Sequence, residues 1–161
     1  MLVFSEYQTD TIDLALDFYG YEDCPKNYEF GPSVRDNFVL HFITKGKGVF
    51  HINKKEIHLE AGDLFLLPKN KVTYYQADAE DPWSYYWIGI SGTKVSDFMR
   101  FSTLHEKGFL KKTEVDTDRI GQFMEQLVHK AEASKMTSHY QLHLLSQIYE
   151  LLFLISEVAP D

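Results

Sequence analysis

The stretch from Phe38 to Gly92 constrains the fold more than any other part of the chain. The runs FVLHFI, GVFHIN, EIHLEA, DLFLLP, VTYYQA and SYYWIGI follow one another there, separated by Gly, Pro, Asn and Asp. Aromatic and β-branched residues suit a pleated, half-buried surface and the separators suit tight turns, so the stretch reads as a string of β-strands. The spacing leaves no room for a helix between strands, and the sheet must therefore be antiparallel. Several runs are apolar on both faces: Phe38, Leu40 and Phe42 alternate with Val39, His41 and Ile43. One face then lines an interior while the other packs beneath something else, as in a small barrel or sandwich.

After Gly92 the hydrophobic period lengthens from two toward 3.6. A short helix is expected over Thr93 to Leu104, then a polar link with Gly108 and Lys111-Lys112. A longer helix from about Asp116 to Ala133 carries Ile120, Phe123, Met124, Leu127, Val128 and Ala131 on one stripe. The last helix opens at Ser138, which with Gln141 has the spacing of a capping box, and runs to about Val158. Its apolar residues make two stripes: Leu144, Ile148, Leu151 and Ile155, and Leu142, Leu145, Tyr149, Leu152 and Phe153. One surface cannot cover both, so a second chain is expected on this helix.

Ahead of the strands, Phe4, Tyr7, Phe18, Tyr19, Tyr21, Tyr28 and Phe30 are mixed with breakers at Gly20, Pro25, Gly31 and Pro32. This reads as an arm laid over the barrel, with one or two short strands. The expected organisation is an arm over 1–36, a barrel core over 37–92 and a helical region over 93–161, forming one compact domain with no internal repeat.

Charge and cysteine usage narrow the function. The formal charge is −8 and the Lys and Arg residues are scattered, so the chain is not expected to hold DNA by itself. Cys24 is the only cysteine, and the first residues, MLVFSEYQTD, lack the pattern of a signal peptide. Leu142 to Val158 is interrupted by His143, Ser146, Gln147, Glu150, Ser156 and Glu157, unlike a bilayer span. A cytoplasmic protein without a membrane anchor is the expectation.

Catalytic and metal chemistry find little purchase. Gly46-Lys47-Gly48 joins two strand patterns and reads as a hairpin turn, since a phosphate loop would open a helix. His41, His51 and His58 lie on different strands without an H-x-H pair, and Thr73, Tyr74 and Tyr75 stand where a third ligand would be needed, so neither metal nor cofactor is expected. No serine sits in a strand-to-helix elbow and Cys24 has no neighbouring base. An enzyme reading survives only in the form of a sugar epimerase or isomerase that needs no metal, with His41 as base.

What remains is a barrel mouth rich in aromatics with a few polar groups, the usual lining of a small-ligand pocket. Pyranose rings pack their C–H faces on flat aromatic rings while their hydroxyls need donors and acceptors together. Trp87, Tyr75, Arg35 and His41 are residues of the required types. Alternation along SYYWIGI places Tyr85 and Gly89 on the side of Trp87, with Tyr86, Ile88 and Ile90 opposite. Gly89 would then leave space beside the indole.

The order of Arg35, FVLHFI, Gly46-Lys47-Gly48, Ala61-Gly62-Asp63, Pro68 and the PWSYYW of Pro82 to Trp87 resembles the cupin-type effector-binding domain of AraC-family transcription regulators. The resemblance implies a jelly-roll barrel followed by an antiparallel helix pair that forms a homodimer, with Leu144, Ile148, Leu151 and Ile155 as the candidate contact. It implies a small-molecule effector, here a sugar or oligosaccharide, and regulation of carbohydrate-utilisation genes. DNA would be bound only through helix-turn-helix units beyond this chain. By the same match Trp87 occupies the ring-stacking position, Tyr75 and Thr73 occupy pocket positions of the arabinose-responsive member, where Thr73 replaces a His, and Val39 and His41 point inward. Arg35 stands at the entry of its strand. The ligand-binding set expected is therefore Arg35, Val39, His41, Thr73, Tyr75, Tyr85 and Trp87, without a catalytic residue. The resemblance also allows the arm to close over the ligand.

Overall fold

Residues that are apolar on both faces of one strand need cover on both sides, and the chain supplies it with a second sheet and a pair of helices. The computed structural model describes residues 3–6, 13–134 and 138–158. In chain order its elements are β1 (Val3–Glu6), β2 (Ala15–Asp23), β3 (Glu29–Ser33), β4 (Phe38–Lys45), β5 (Lys47–Ile52), β6 (Lys55–Glu60), β7 (Leu64–Leu67), β8 (Thr73–Ala77), β9 (Ser84–Ser91), α1 (Thr93–Met99), α2 (Thr103–Lys107), β10 (Phe109–Leu110), α3 (Asp118–Ala133) and α4 (Ser138–Ser156). A larger sheet runs β1-β2-β9-β4-β7-β10 and a smaller one β3-β8-β5-β6. Neighbours within both sheets are antiparallel. The architecture is the cupin-like sandwich with C-terminal helices that the sequence predicts.

Between the sheets lies an aromatic core containing Ile43, Phe50, Leu59, Phe65, Trp83 and Tyr85. The outer face of the larger sheet carries Phe38, Leu40, Phe42, Ile88 and Ile90 into a second core, completed by Met124, Leu127 and Val128 of α3 and by Leu144, Ile148 and Leu151 of α4. Each such side chain, fully buried, contributes on the order of 1.5–3 kcal/mol.

The turns follow from residue chemistry. Asn53 and Lys54 both have positive φ, 53° and 64°, and Ile52 pairs with Lys55, which is the two-residue hairpin turn that matches strand twist. Asp63 Oδ2 accepts the Glu60 amide at 2.8 Å and Oδ1 accepts the Lys112 amide at 2.9 Å, so one buried carboxylate ties the β6–β7 turn to the segment entering α3. Gly46-Lys47-Gly48 is not the hairpin expected. β4 and β5 belong to different sheets, and Gly46, at φ 70°, is the corner where the chain crosses between them.

Other expectations are corrected. Residues before 37 are not an arm over a finished barrel: β2 lies inside the larger sheet between β1 and β9, and β3 pairs with β8 in the smaller one. The strand was hidden because its register against β9 shifts between Leu16 and Phe18, so its apolar residues do not alternate. The region after Gly92 forms two short helices, broken where the Ser102 side chain accepts the His105 amide and starts α2, and the polar link contains β10. Leu144, Ile148, Leu151 and Ile155, expected at a dimer contact, are at most 2% exposed inside the chain's own core. Of the other stripe only Leu142, Tyr149 and Phe153 are exposed, while Leu152 is buried and Leu145 packs against the same core. The Ser138 capping side chain and Tyr7 lie outside the described residues.

Candidate functional site

Register builds the site. Across the inner face of the larger sheet, Gly89 of β9 lies between Phe18 of β2 and Val39 of β4, and Val39 pairs on with Leu67 of β7. In the next row Trp87 is flanked by Gly20 and His41, and His41 by Phe65. Beyond it Tyr85 lies between Glu22 and Ile43. From the smaller sheet Tyr75 faces this surface, paired with Phe30 at one side and Phe50 at the other. The bulge that gives β2 one extra residue at Asp17 is what turns Phe18 and Glu22 inward while Leu16 stays on the helix side.

These rows enclose a cavity of about 270 Å³ lined by Phe18, Glu22, Tyr28, Phe30, Arg35, Val39, His41, Leu67, Tyr75, Tyr85 and Trp87. Its size lies near the lower end of small-molecule sites, roughly 300–1,000 Å³, and suits one ring more than several. His41 forms the deepest polar part. Its ring stacks on Phe65 at 4.2 Å between centroids and meets Tyr85 edge-on at 4.9 Å. Its Nδ1 is buried with no hydrogen-bond partner among the described residues. Burial pushes the imidazole down to about 3; the Arg35 charge acts in the same direction and the Val39 backbone opposes. His41 is therefore neutral near pH 7, with one ring nitrogen able to donate and the other able to accept.

Beside it the hydroxyls of Tyr75 and Tyr85 share a hydrogen bond at 3.3 Å, and burial raises both phenols. Burial pushes the neighbouring Cys24 thiol up to about 12, which keeps it protonated and unreactive. At the rim the Arg35 guanidinium lies 5.0 Å over the Phe18 ring and 6.0 Å over Phe30. Glu22, also raised by burial, adds a carboxyl to the wall. The cavity thus offers flat aromatic surface, one cation, one carboxyl and neutral donor–acceptor groups. That set can hold a polyhydroxylated ring.

Residues 15–152 match the family model described as the AraC-like ligand binding domain. The chain belongs to this family. The AraC-like domain is 38% identical over 158 residues to the Msm operon regulatory protein of Streptococcus mutans, a match covering 98% of this chain and 56% of that protein. It is 42% identical over 100 residues to the raffinose operon transcriptional regulatory protein RafR of Pediococcus pentosaceus, covering 60% of this chain and 36% of RafR. Over 160 residues it is 27% identical to the lactose operon transcription activator of Staphylococcus xylosus, covering 99% and 56% of the two chains. The chain spans little more than half the length of the relatives it matches.

Of the ligand-binding residues expected for this AraC-like domain, Arg35, Val39, His41, Tyr75, Tyr85 and Trp87 all border the cavity. Thr73 does not. It is buried on the same strand as Tyr75, opposite Ser33, away from the lining. The space expected beside the indole is also filled, because a Cβ on Gly89 would come within 2.4 Å of the Phe18 ring. His41, His51 and His58 do not meet: His41 is interior, His51 contacts Glu56 on the outer face of the smaller sheet, and His58 is exposed. Sequence reasoning missed Phe18, Glu22, Tyr28, Phe30 and Leu67. The aromatic density of 18–30 was the available signal, and the bulge at Asp17 concealed which residues turn inward.

Proposed function

We propose that this AraC-like domain is the sugar-sensing part of a transcription regulator of a carbohydrate-utilisation operon. The observation that carries the reading is the inter-sheet cavity, in which Trp87 and Phe18 offer flat apolar surface beside Arg35, Glu22, His41 and two tyrosines. Two relatives that support it are named for raffinose and lactose operons. Binding rather than catalysis is the reading taken. A base held near 3 is a weak proton acceptor, and His41 has no carboxylate hydrogen-bonded to it among the described residues.

The regulator acts in the cytoplasm and reaches DNA through the remainder of its length; a chain of net charge −8 supplies little attraction to phosphates. Among the described residues no helix is long and apolar enough to cross a membrane. Dimerisation is assigned to the outward stripe of α4, where Leu142, Tyr149 and Phe153 are exposed at 73%, 43% and 54%. Such a stripe is costly to leave in water and pairs with its own copy in an antiparallel contact.

Thermal unfolding with raffinose, lactose and their component monosaccharides tests the reading. A ligand at a hundred times its Kd adds about 2.7 kcal/mol. For a domain of this size that raises Tm by roughly 5–10 °C. A selective rise for one sugar is expected, and the absence of a rise with every sugar would overturn the sugar assignment.

A further inference from the structure

The cation at the rim of the cavity is held by a chain of side chains from three parts of the larger sheet. Arg35 Nε donates to Asn37 Oδ1 at 3.2 Å, Asn37 Nδ2 donates to Asp17 Oδ2 at 3.3 Å, and Ser91 Oγ donates to Asp17 Oδ1 at 3.0 Å. Asn37 is buried just ahead of β4, Ser91 ends β9, and Asp17 is the bulge residue of β2. We propose that Asp17 and Asn37 are positioning residues that fix the Arg35 guanidinium over the cavity. This rests on the cavity being the ligand site.

The direction of the chain is set at Asp17. A carboxylate only accepts, so it fixes which way the Asn37 amide is turned: the NH2 group faces Asp17 and the carbonyl oxygen is left for Arg35. The Asp17 side chain reaches both Ser91 and Asn37 from the extra residue of the strand, and that same bulge turns Phe18 inward to lie under the guanidinium. Only the Nε edge of Arg35 is hydrogen-bonded among the described residues, so the Nη1 and Nη2 edge is presented for ligand hydroxyls. The Arg35 main chain is anchored too, since its carbonyl accepts the Asn70 amide at 2.8 Å. A long, rotamer-rich side chain held in advance loses less freedom when a ligand arrives.

The chain contains three arginines, Arg35, Arg100 and Arg119, so the Nε–H signals in a proton–nitrogen NMR spectrum can be assigned by the one lost in Arg35→Lys. The Arg35 signal should persist in the unaltered protein and fade through exchange with water in Asn37→Ala and Asp17→Asn. Asn37→Asp alone sets two carboxylates face to face, but combined with Asp17→Asn it rebuilds all three contacts, with the middle bond reversed so that the new amide donates to the new carboxylate and the charge moves one place toward Arg35. The double variant should restore the signal. In titrations with raffinose and lactose, each single variant should weaken binding by about tenfold, the double variant should recover to within about threefold, and Asn37→Ala should have no further effect in an Arg35→Ala background. An Arg35 signal unchanged in folded Asn37→Ala, or no recovery in the double variant, would overturn the proposal. If neither these sugars nor their component monosaccharides bind the unaltered protein, the sugar assignment falls while the NMR series still decides the positioning role.

Discussion

At the residue scale, two side chains make separable predictions. His41 titrates near 3 in the folded chain against an ordinary value of 6.5. Its folded pKa is lowered, so the unfolded chain takes up the proton first. Stability from this group is constant above about pH 6.5 and declines as pH falls from there toward 3. By pH 5 the loss is about 2 kcal/mol, and His41→Asn should remove that part of the pH dependence in denaturant unfolding measured at pH 7 and pH 5. An equal slope in both proteins would place the imidazole in water. Gly89→Ala drives a Cβ to within 2.4 Å of the Phe18 ring, backed by neighbouring strands. It should cost roughly 1–3 kcal/mol and push Phe18 into the cavity, so that sugar affinity falls together with stability. Substituting Phe18→Ala in the same protein should relieve the stability loss.

At the scale of the element, α4 shows how far periodicity goes. Two apolar stripes were legible from the spacing, but spacing alone does not say which stripe faces the chain's own sheet. The structure buries Leu144, Ile148, Leu151 and Ile155 and leaves Leu142, Tyr149 and Phe153 outside. Ile148→Ala should therefore cost about 2–5 kcal/mol as a core truncation. Tyr149→Asp with Phe153→Asp should leave the fold intact and halve the mass seen by sedimentation. A folded pair variant that keeps the unaltered mass would remove α4 from the contact. The strands show the complementary case. From Phe38 onward, runs of aromatic and β-branched residues between strong turn residues made β4 to β9 readable, whereas one extra residue at Asp17 concealed the faces of β2 and with them Phe18 and Glu22. β10 is a pair of residues, too short to carry a period at all.

At the scale of the molecule, cavity and helices share strands. His41 and Trp87 face the cavity side of β4 and β9, while Leu40 and Ile88 on the same strands meet the core built with α3 and α4. A ligand that reorders the inner rows acts on the sheet that carries the helices. In a dimer joined through α4, its effect on dimer geometry would be bounded by its difference in affinity for the two arrangements, and dimerisation would shift ligand affinity by the same factor. Sugar titrations run above and below the dimer dissociation concentration should therefore agree unless the two events are linked. The fold was legible, and six of the eleven residues lining the cavity with it, because unbulged aromatic strands place alternate residues on one face. Thr73 was misplaced because burial on the right strand face does not put a residue beside the cavity. The most direct measurement is calorimetric titration of raffinose, lactose and their component monosaccharides into the unaltered protein and Trp87→Ala. Saturable binding of one sugar per chain, weakened at least about tenfold by the substitution, is predicted. Equal affinity in the two folded proteins, or heat from none of these sugars, would contradict a sugar site at Trp87.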